Sequence, residues 1–505
     1  MKDLYDAVII GSGLGGLVCA NILAKENLRV CILEKNQQFG GNLQTFSRDK
    51  TIFDTGVHYI GGLDKDQNLY KYFKYLEIID ELNLRKLDED GFDIISFDND
   101  EKEYKHAQGY KNFSNTLLQN FPNEKKAINK YCEILKKCCD MFPLYNVEEG
   151  EPPYFKNPKI LTTRAKDLID SLTKNKKLQA VLSGTSFLYA GDADRTPFYV
   201  HALSVNSFIE SSYRVVNGGS QISKLLVRKL KSKGGDAFKR HEVNEFKFKD
   251  GKVNSVICSN GKEIKGNLFI SNADPKLTLN LLNTNLLRKS YVNRIKNIES
   301  IIGCFSLYIV LKPNTFEYQN RNYYHIKDYN DIWNIQDYSD KTWPKGYVMS
   351  MGVNNKTSKW GETLTVMTYM KYADVKEWEN TFNYAINRND RGSSYEKFKK
   401  IKTEKLLNEI EKKIPNIRNC IKKVYTSTPL SYRDYIGSNK GGIYGYVKDV
   451  NKPLRSFISP KTKIKNLFFT GQCLNMHGVL GVTVGGVLTC SEILGQKYLL
   501  NKIRN

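Results

Sequence analysis

The stretch that most restricts what this 505-residue chain can become lies near its start. Ala7-Val8-Ile9-Ile10 is a short, wholly apolar run, the texture of a parallel strand covered on both faces. Gly11-Ser12-Gly13-Leu14-Gly15-Gly16 follows it and matches G-x-G-x-x-G. In that pattern the first glycine makes the tight turn, the second lets backbone approach a pyrophosphate, and the third lets helix pack on strand. Leu17, Val18, Ala20, Ile22, Leu23 and Ala24 supply an apolar helical face, and Arg29 to Glu34 reads as a second strand. The segment therefore predicts a βαβ unit whose helix offers free N–H groups and a positive dipole end to phosphate. Glu34, 23 positions after Gly11, is placed to accept from a ribose 2′-OH and to repel a 2′-phosphate. FAD or NAD fits, and NADP does not.

Further along, Phe246 to Asn272 alternates and carries Asp250-Gly251 and Asn260-Gly261, which predicts an antiparallel meander ending in the apolar strand Leu268 to Ser271. Leu467-Phe468-Phe469-Thr470-Gly471 reads as another strand, followed by a glycine-rich helix. Between these pieces, residues 76–214 and 286–424 are rich in Lys, Tyr and helical patterning and read as two insertions building a second domain. The expected division is 1–75, 215–285 and 425–505 for the dinucleotide domain and 76–214 with 286–424 for the substrate domain. Hydrophobic residues at 40% and aromatics at 12% suit two such cores.

Several blocks recur in an order that resembles the phytoene desaturase, carotenoid isomerase and retinol saturase family. They are Gly40-Gly41 after Glu34, then Phe53-Asp54-Thr55-Gly56-Val57-His58-Tyr59, then Ser271-Asn272-Ala273-Asp274-Pro275, then Phe469-Thr470-Gly471-Gln472. The resemblance covers both ends and the meander, while the insertions match in length and pattern. It implies an α/β fold: a Rossmann-like, glutathione-reductase-like FAD-binding domain with an inserted α+β substrate domain. It implies FAD as cofactor, with contacts from Gly11, Gly13, Leu14, Gly15, Gly16, Glu34 and Lys35 at the first unit. Gly40, Gly41, Val243, Gly471, Gln472, Gly481 and Val482 complete the implied set. Members often carry Arg after the paired glycines; this chain has Asn42, so that contact is not carried over. Arg214 to Ser220 resembles the segment returning the chain to the flavin domain, with Gly218-Gly219 serving its turn.

The implied substrate is a lipophilic polyene or isoprenoid, carotenoid-like or retinoid-like, that is saturated, desaturated or isomerised. Gly478 to Val482 and the Phe53 to Tyr59 block lean toward the saturase and isomerase branch. Moving hydrogen across a C=C needs a hydride at flavin N5 and an acid or base, for which His58, Tyr59 and His477 are the candidates. A helix starting near Gly478 to Gly481 would direct its dipole at the pyrimidine edge of the flavin. Two alternatives share the fold: a flavin amine oxidase, and a prenyl-protein escort of the Rab GDP dissociation inhibitor type. Intact Gly11, Gly13, Gly16 and Glu34 argue against the second.

The net charge of +23 comes from basic residues spread along the chain, with local clusters at Arg228 to Arg240 and Lys397 to Lys402. These read first as solvated faces and secondarily as support for a membrane surface; nucleic acid is not an expected partner. Ten cysteines without a Cys-x-x-Cys, and no metal-ligand spacing, fit a reducing compartment and no metal site. No secretory leader is expected, and neither Ile301 to Leu311 nor His477 to Gly495 reads as a spanning helix. A cytoplasmic protein, peripheral on membranes, is the expectation; the electron donor or acceptor is left open.

Overall fold

The computed structural model describes residues 2–354, 359–383 and 391–505. Strand β1 (Tyr5–Ile10), helix α1 (Leu14–Lys25) and strand β2 (Val30–Leu33) form the expected βαβ unit. β1 and β2 pair in parallel from Ala7 opposite Val30 to Ile10 opposite Leu33. Their alternate side chains divide between two cores. Ala7, Ile9, Val30 and Ile32 pack on the α1 side, whereas Val8, Ile10, Cys31 and Leu33 pack on the opposite side. Eleven consecutive residues of α1, Leu14 to Ala24, are buried, so this helix is enclosed rather than laid on a surface.

Strands β3 (Asp93–Phe97) and β4 (Asp100–His106) form a hairpin in the first long insertion. Helices follow, among them Lys125–Asp140 and Phe198–Glu210. The chain then returns through β5 (Asp236–Phe238), β6 (Val243–Lys249), β7 (Lys252–Cys258) and β8 (Glu263–Ser271). β8 serves two partners along its length: its start pairs antiparallel with β7, and its end pairs parallel with β1, placing Ser271 beside Ile10. Asp250 and Gly251, both at positive φ, make the β6–β7 turn as read from the sequence.

The second long stretch departs from the expected helical patterning. It contributes strands β9 (Gly303–Leu311), β10 (Asn322–Ile326), β11 (Gly346–Met351), β12 (Thr363–Met370) and β13 (Ile421–Ser427), with Ser393–Lys413 as its one long helix among the described residues. With β3 and β4 they form one seven-stranded sheet in the order β13-β9-β12-β11-β10-β3-β4. All nine residues of β9 are buried, so it carries no polar and apolar alternation by which to recognise a strand. β10 and β3 are the parallel neighbours, with Asn322 opposite Asp93. Finally β14 (Leu467–Phe469) joins β8 in parallel and leads into helix α2 (Gly478–Leu494), which packs on α1 where Cys19 Sγ approaches the carbonyl of Gly486 at 3.5 Å.

Candidate functional site

The glycine loop closes β1 onto α1. Gly11 sits at φ +90°, where a side chain is strained. Gly13 caps α1 without a side-chain hydrogen bond, so the amides of the first turn remain available. A Cβ at Gly13 would lie 2.6 Å from Asn272 Nδ2, and one at Gly15 would lie 2.8 Å from Asn272 Oδ1 and 3.0 Å from the nitrogen of Gly471. The glycine loop, the Gly471 backbone and the Asn272 side-chain amide thus converge with little room for a Cβ, a cradle suited to a pyrophosphate.

Glu34 holds this loop directly. One carboxylate oxygen accepts from Ser12 N at 3.0 Å and Ser12 Oγ at 2.5 Å, and the other accepts from Asn36 N at 2.8 Å. Gly40 N donates to Ser12 Oγ at 3.1 Å, tying the paired glycines to the same point. Asn42 Nδ2 donates to Gln472 Oε1 at 3.2 Å, so the residue standing in place of the family's Arg links two parts of the site.

A cavity of about 550 Å³ starts at this cradle. Gly11, Gly13, Leu14, Gly15, Glu34, Lys35, Gly40, Gly41, Val243, Gly471, Gln472, Gly481 and Val482 line it, as do His58, Tyr59 and His477. Gly16 does not. It lies beneath the loop, where a Cβ would come within 2.4 Å of the carbonyl of Gly11, which suits the helix-packing role of the third glycine. The ammonium of Lys35 donates to the carbonyl of Asp434 at 2.9 Å. The sequence reading missed Asn272 as a site residue, although it quoted the block containing it; its amide fills the space between Gly13, Gly15 and Gly471.

Past His58 the walls become apolar and aromatic: Phe187, Leu203, Phe208, Met367, Tyr369 and Tyr444 line this end. The start of α2 presents its uncapped first turn to the same space, with His477 as N-cap. His477 Nε2 donates to the carbonyl of Leu188 at 2.7 Å, and its ring stacks on Tyr444. His58 Nε2 lies 3.0 Å from Met367 Sδ. Burial pushes both imidazoles down to about 4, which leaves them neutral at ordinary pH and poor sources of a proton. Tyr59 differs: its hydroxyl donates to Asp93 Oδ2 at 3.0 Å and lies 2.5 Å from the hydroxyl of Tyr324.

Toward solvent, part of each basic cluster is paired with acidic side chains. Arg228 and Lys229 pair with Glu81, Lys233 pairs with Glu77, and Lys402 with Asp340. The ten cysteines are free, nine of them buried. Among the described residues no helix is long and apolar enough to cross a membrane, and no group of His, Cys, Asp and Glu is arranged to hold a metal.

A family model described as an NAD(P)-binding Rossmann-like domain matches residues 9–76. The chain is similar to all-trans-retinol 13,14-reductase of Danio rerio, 27% identical, with 99% of this chain and 87% of that protein covered. It is also similar to the chloroplastic prolycopene isomerase 2 of an Oncidium hybrid cultivar, 25% identical over 97% of this chain and 84% of that protein. Among solved structures, a triple mutant of putrescine oxidase superposes with a TM-score of 0.64 at 15% identity, covering 99% of both chains, which shows a shared fold. Fold and site together define a flavin-type oxidoreductase with a Rossmann-like dinucleotide domain. Similarity along the whole sequence is to retinol reductases and prolycopene isomerases, a better fit than the amine oxidase or escort readings. Along nearly its whole length the chain is similar to members of the retinol saturase and carotenoid isomerase group, in keeping with the family resemblance read from its sequence blocks.

Proposed function

We propose that the chain binds FAD along this cavity and acts on a C=C or C–C bond of a lipophilic polyene, retinoid-like or carotenoid-like, by saturation, desaturation or isomerisation. The observation carrying this reading is the continuity of the cavity. One space runs from the Gly11 to Gly15 cradle, past the N-terminus of α2, to an aromatic and aliphatic end. The fit to FAD rests on the cradle, where added Cβ atoms would meet Asn272 and Gly471, and on two uncapped helix starts facing one space. Holding Ser12 and Asn36 uses three of the roughly four acceptor positions of the Glu34 carboxylate, which leaves one for a ribose hydroxyl. Bound FAD supplies a hydride acceptor or donor at N5. The protein excludes water, holds the polyene against that face and manages a proton, with Tyr59 the strongest of the three candidate groups.

In this reading residues 1–75, 215–285 and 425–505 carry the cofactor, and 76–214 with 286–424 carry the substrate. The test is direct. Flavin released on denaturation identifies the cofactor, and mass analysis of a polyene panel, incubated in air and with reduced flavin, identifies gain, loss or conservation of two hydrogens. Peroxide release with amines and no change in any polyene would refute it.

A lipophilic substrate arrives from a bilayer, so we further propose peripheral attachment at the cavity mouth. Tyr154 and Phe457 line the cavity with their rings tilted at 60° and centroids 4.9 Å apart, and next to them in sequence Phe155 and Leu454 are 68% and 67% exposed. Lys156, Lys159, Lys452 and Arg455, all exposed, flank these two residues in sequence. Apolar side chains flanked by cations suit an anionic lipid surface.

A further inference from the structure

One cavity wall holds a carboxyl group that none of the roles above uses. Asp93 opens β3, is 0% exposed and does not itself line the cavity. Its Oδ1 accepts from Asn322 Nδ2 at 2.8 Å and its Oδ2 accepts from Tyr59 OH at 3.0 Å. Both donors are neutral. The nearest cation, Arg214, is spent on Asn322, whose Oδ1 accepts from the guanidinium at 2.8 Å. His106, opposite Asp93 on β4, turns its Nε2 to the carbonyl of Val181. A buried carboxyl with no counter-ion in contact resists ionisation, and burial pushes Asp93 up to about 7 in spite of these hydrogen bonds.

Tyr59, by contrast, is a cavity residue, and so are Tyr324 and Asn322. The parallel register of β3 and β10 places Asn322 opposite Asp93 and sets Tyr324 two residues further on the same face. The result is an unbroken chain of exchangeable protons from the buried carboxyl through Tyr59 to Tyr324 at the cavity surface. A hydrogen-bonded structural pair alone would be equally satisfied by Asn at position 93, whereas a proton store requires the acid.

We propose that Asp93, Tyr59 and Tyr324 form a proton relay serving the polyene in this cavity. This rests on the function proposed above and names its acid. In hydrogen addition, an electron pair reaches one alkene carbon as hydride from reduced flavin. With the carboxyl protonated, the 3.0 Å bond runs from Asp93 Oδ2 to the Tyr59 oxygen and that of Tyr59 to Tyr324; the other carbon takes the Tyr324 hydroxyl proton, Tyr324 regains one from Tyr59, and Tyr59 from the Asp93 carboxyl, which leaves Tyr59 donating to the carboxylate. The π bond breaks, two C–H bonds form, and a single negative charge remains on Asp93. Asn322, Tyr59 and the nearby Arg214 stabilise that charge, and solvent restores the proton between turnovers. Desaturation runs the same transfers backward.

The test uses the full-length protein with its flavin. Infrared titration between pH 5.5 and 8.5 is expected to show a protonated-carboxyl band vanishing near neutrality, part of it missing in Asp93→Asn and the remainder assigned to Asp54 by Asp54→Asn. This measurement needs no turnover, so it judges the relay even where the polyene reading fails; an Asp93 ionised throughout that range overturns the relay. In turnover, Asp93→Asn is expected to slow hydrogen addition about 10²-fold and to abolish its inflection near pH 7. Tyr324→Phe should slow it similarly and scramble which face takes deuterium from D2O, with flavin content unchanged in both. Wild-type turnover with variants that keep rate, pH profile and deuterium placement would refute the relay and leave the polyene reading standing.

Discussion

Gly16→Ala probes whether the glycine loop and its two helices act as one unit. The added Cβ would sit 2.4 Å from the carbonyl oxygen of Gly11 and 3.2 Å from Ile9 Cγ2. Ordinary contact therefore requires roughly 1 Å of separation between α1 and β1. Neither side yields freely. β1 is held in register on both edges by β2 and β8, and α1 is buried through Ala24 with α2 against it, where a Cβ on Gly486 would already be 2.8 Å from Val18 Cγ1. Overpacking of this kind costs about 1–3 kcal/mol. The same displacement carries the amides of Leu14 and Gly15 off the phosphate position, so flavin affinity is expected to fall about 10-fold for each 1.4 kcal/mol lost. The assay is flavin stoichiometry by absorbance after purification, together with the urea midpoint of the flavin-free protein. Gly485→Ala on α2 is the control for the flavin-free urea midpoint alone: its Cβ meets no protein atom within 4 Å, helical Ala is favoured over Gly, and the residue lines the cavity. A Gly16→Ala protein with full flavin and an unshifted midpoint would refute the reasoning.

Glu34→Gln keeps the size but loses the charge that holds Ser12 and Asn36, so a loss of about 1–3 kcal/mol in flavin-bound stability is expected, read as a lowered melting temperature and faster flavin release; equal values for both proteins would contradict a loop-holding role. Acid should destabilise the fold. Burial holds His58, His106 and His477 down to about 4 and His201 to about 3, so below 6.5 the unfolded chain takes up protons that the folded chain refuses. Asp54 and Asp93, pushed up to about 7 by burial, act oppositely, keeping protons that the unfolded chain releases above 3.8. Four groups against two leave the unfolded state about two protons richer near pH 5, so stability should fall by up to about 3 kcal/mol per unit as pH drops from 6 toward 4.5, measured by urea unfolding at each pH. A midpoint that rose on acidification would reverse that balance. At the cavity mouth, Phe155→Ser with Leu454→Ser is expected to cut flotation with anionic vesicles several-fold while leaving flavin content intact; undiminished flotation would move the lipid contact elsewhere.

What could be read from the sequence was the part whose geometry is closed within a short span. The βαβ unit from Tyr5 to Leu33 is local: an apolar strand, a turn that needs glycine and an enclosed helix are each written in adjacent residues. Gly471, Gln472 and the start of α2 were found through their resemblance to a family, because nothing in their own composition says which strand they will join. Asn272 shows the limit of motif logic. It stands one residue beyond β8, and its role as the filler between Gly13, Gly15 and Gly471 appears only when Ser271 pairs with Ile10. The strands of 303–370 were hidden for a different reason: a strand buried on both faces has no period to detect, and β9 is buried at every residue.

The Asp93 cluster was beyond sequence reasoning altogether. Tyr59 could be named because it follows a recognisable block, but an aspartate at the start of an ordinary hairpin carries no signal, and its partners Asn322 and Tyr324 lie more than 200 residues away. Their meeting depends on the β3–β4 hairpin joining, through the parallel pairing of β3 with β10, five strands from the second insertion. That pairing also explains why the two insertions are needed together. The first supplies the carboxyl, the second supplies the amide that holds it and the tyrosine that reaches the cavity, and the dinucleotide half supplies Tyr59 between them. A proton path assembled from three separate stretches of chain forms only when all three are folded, which couples the acid to a completed cavity and keeps it out of water until the substrate space exists.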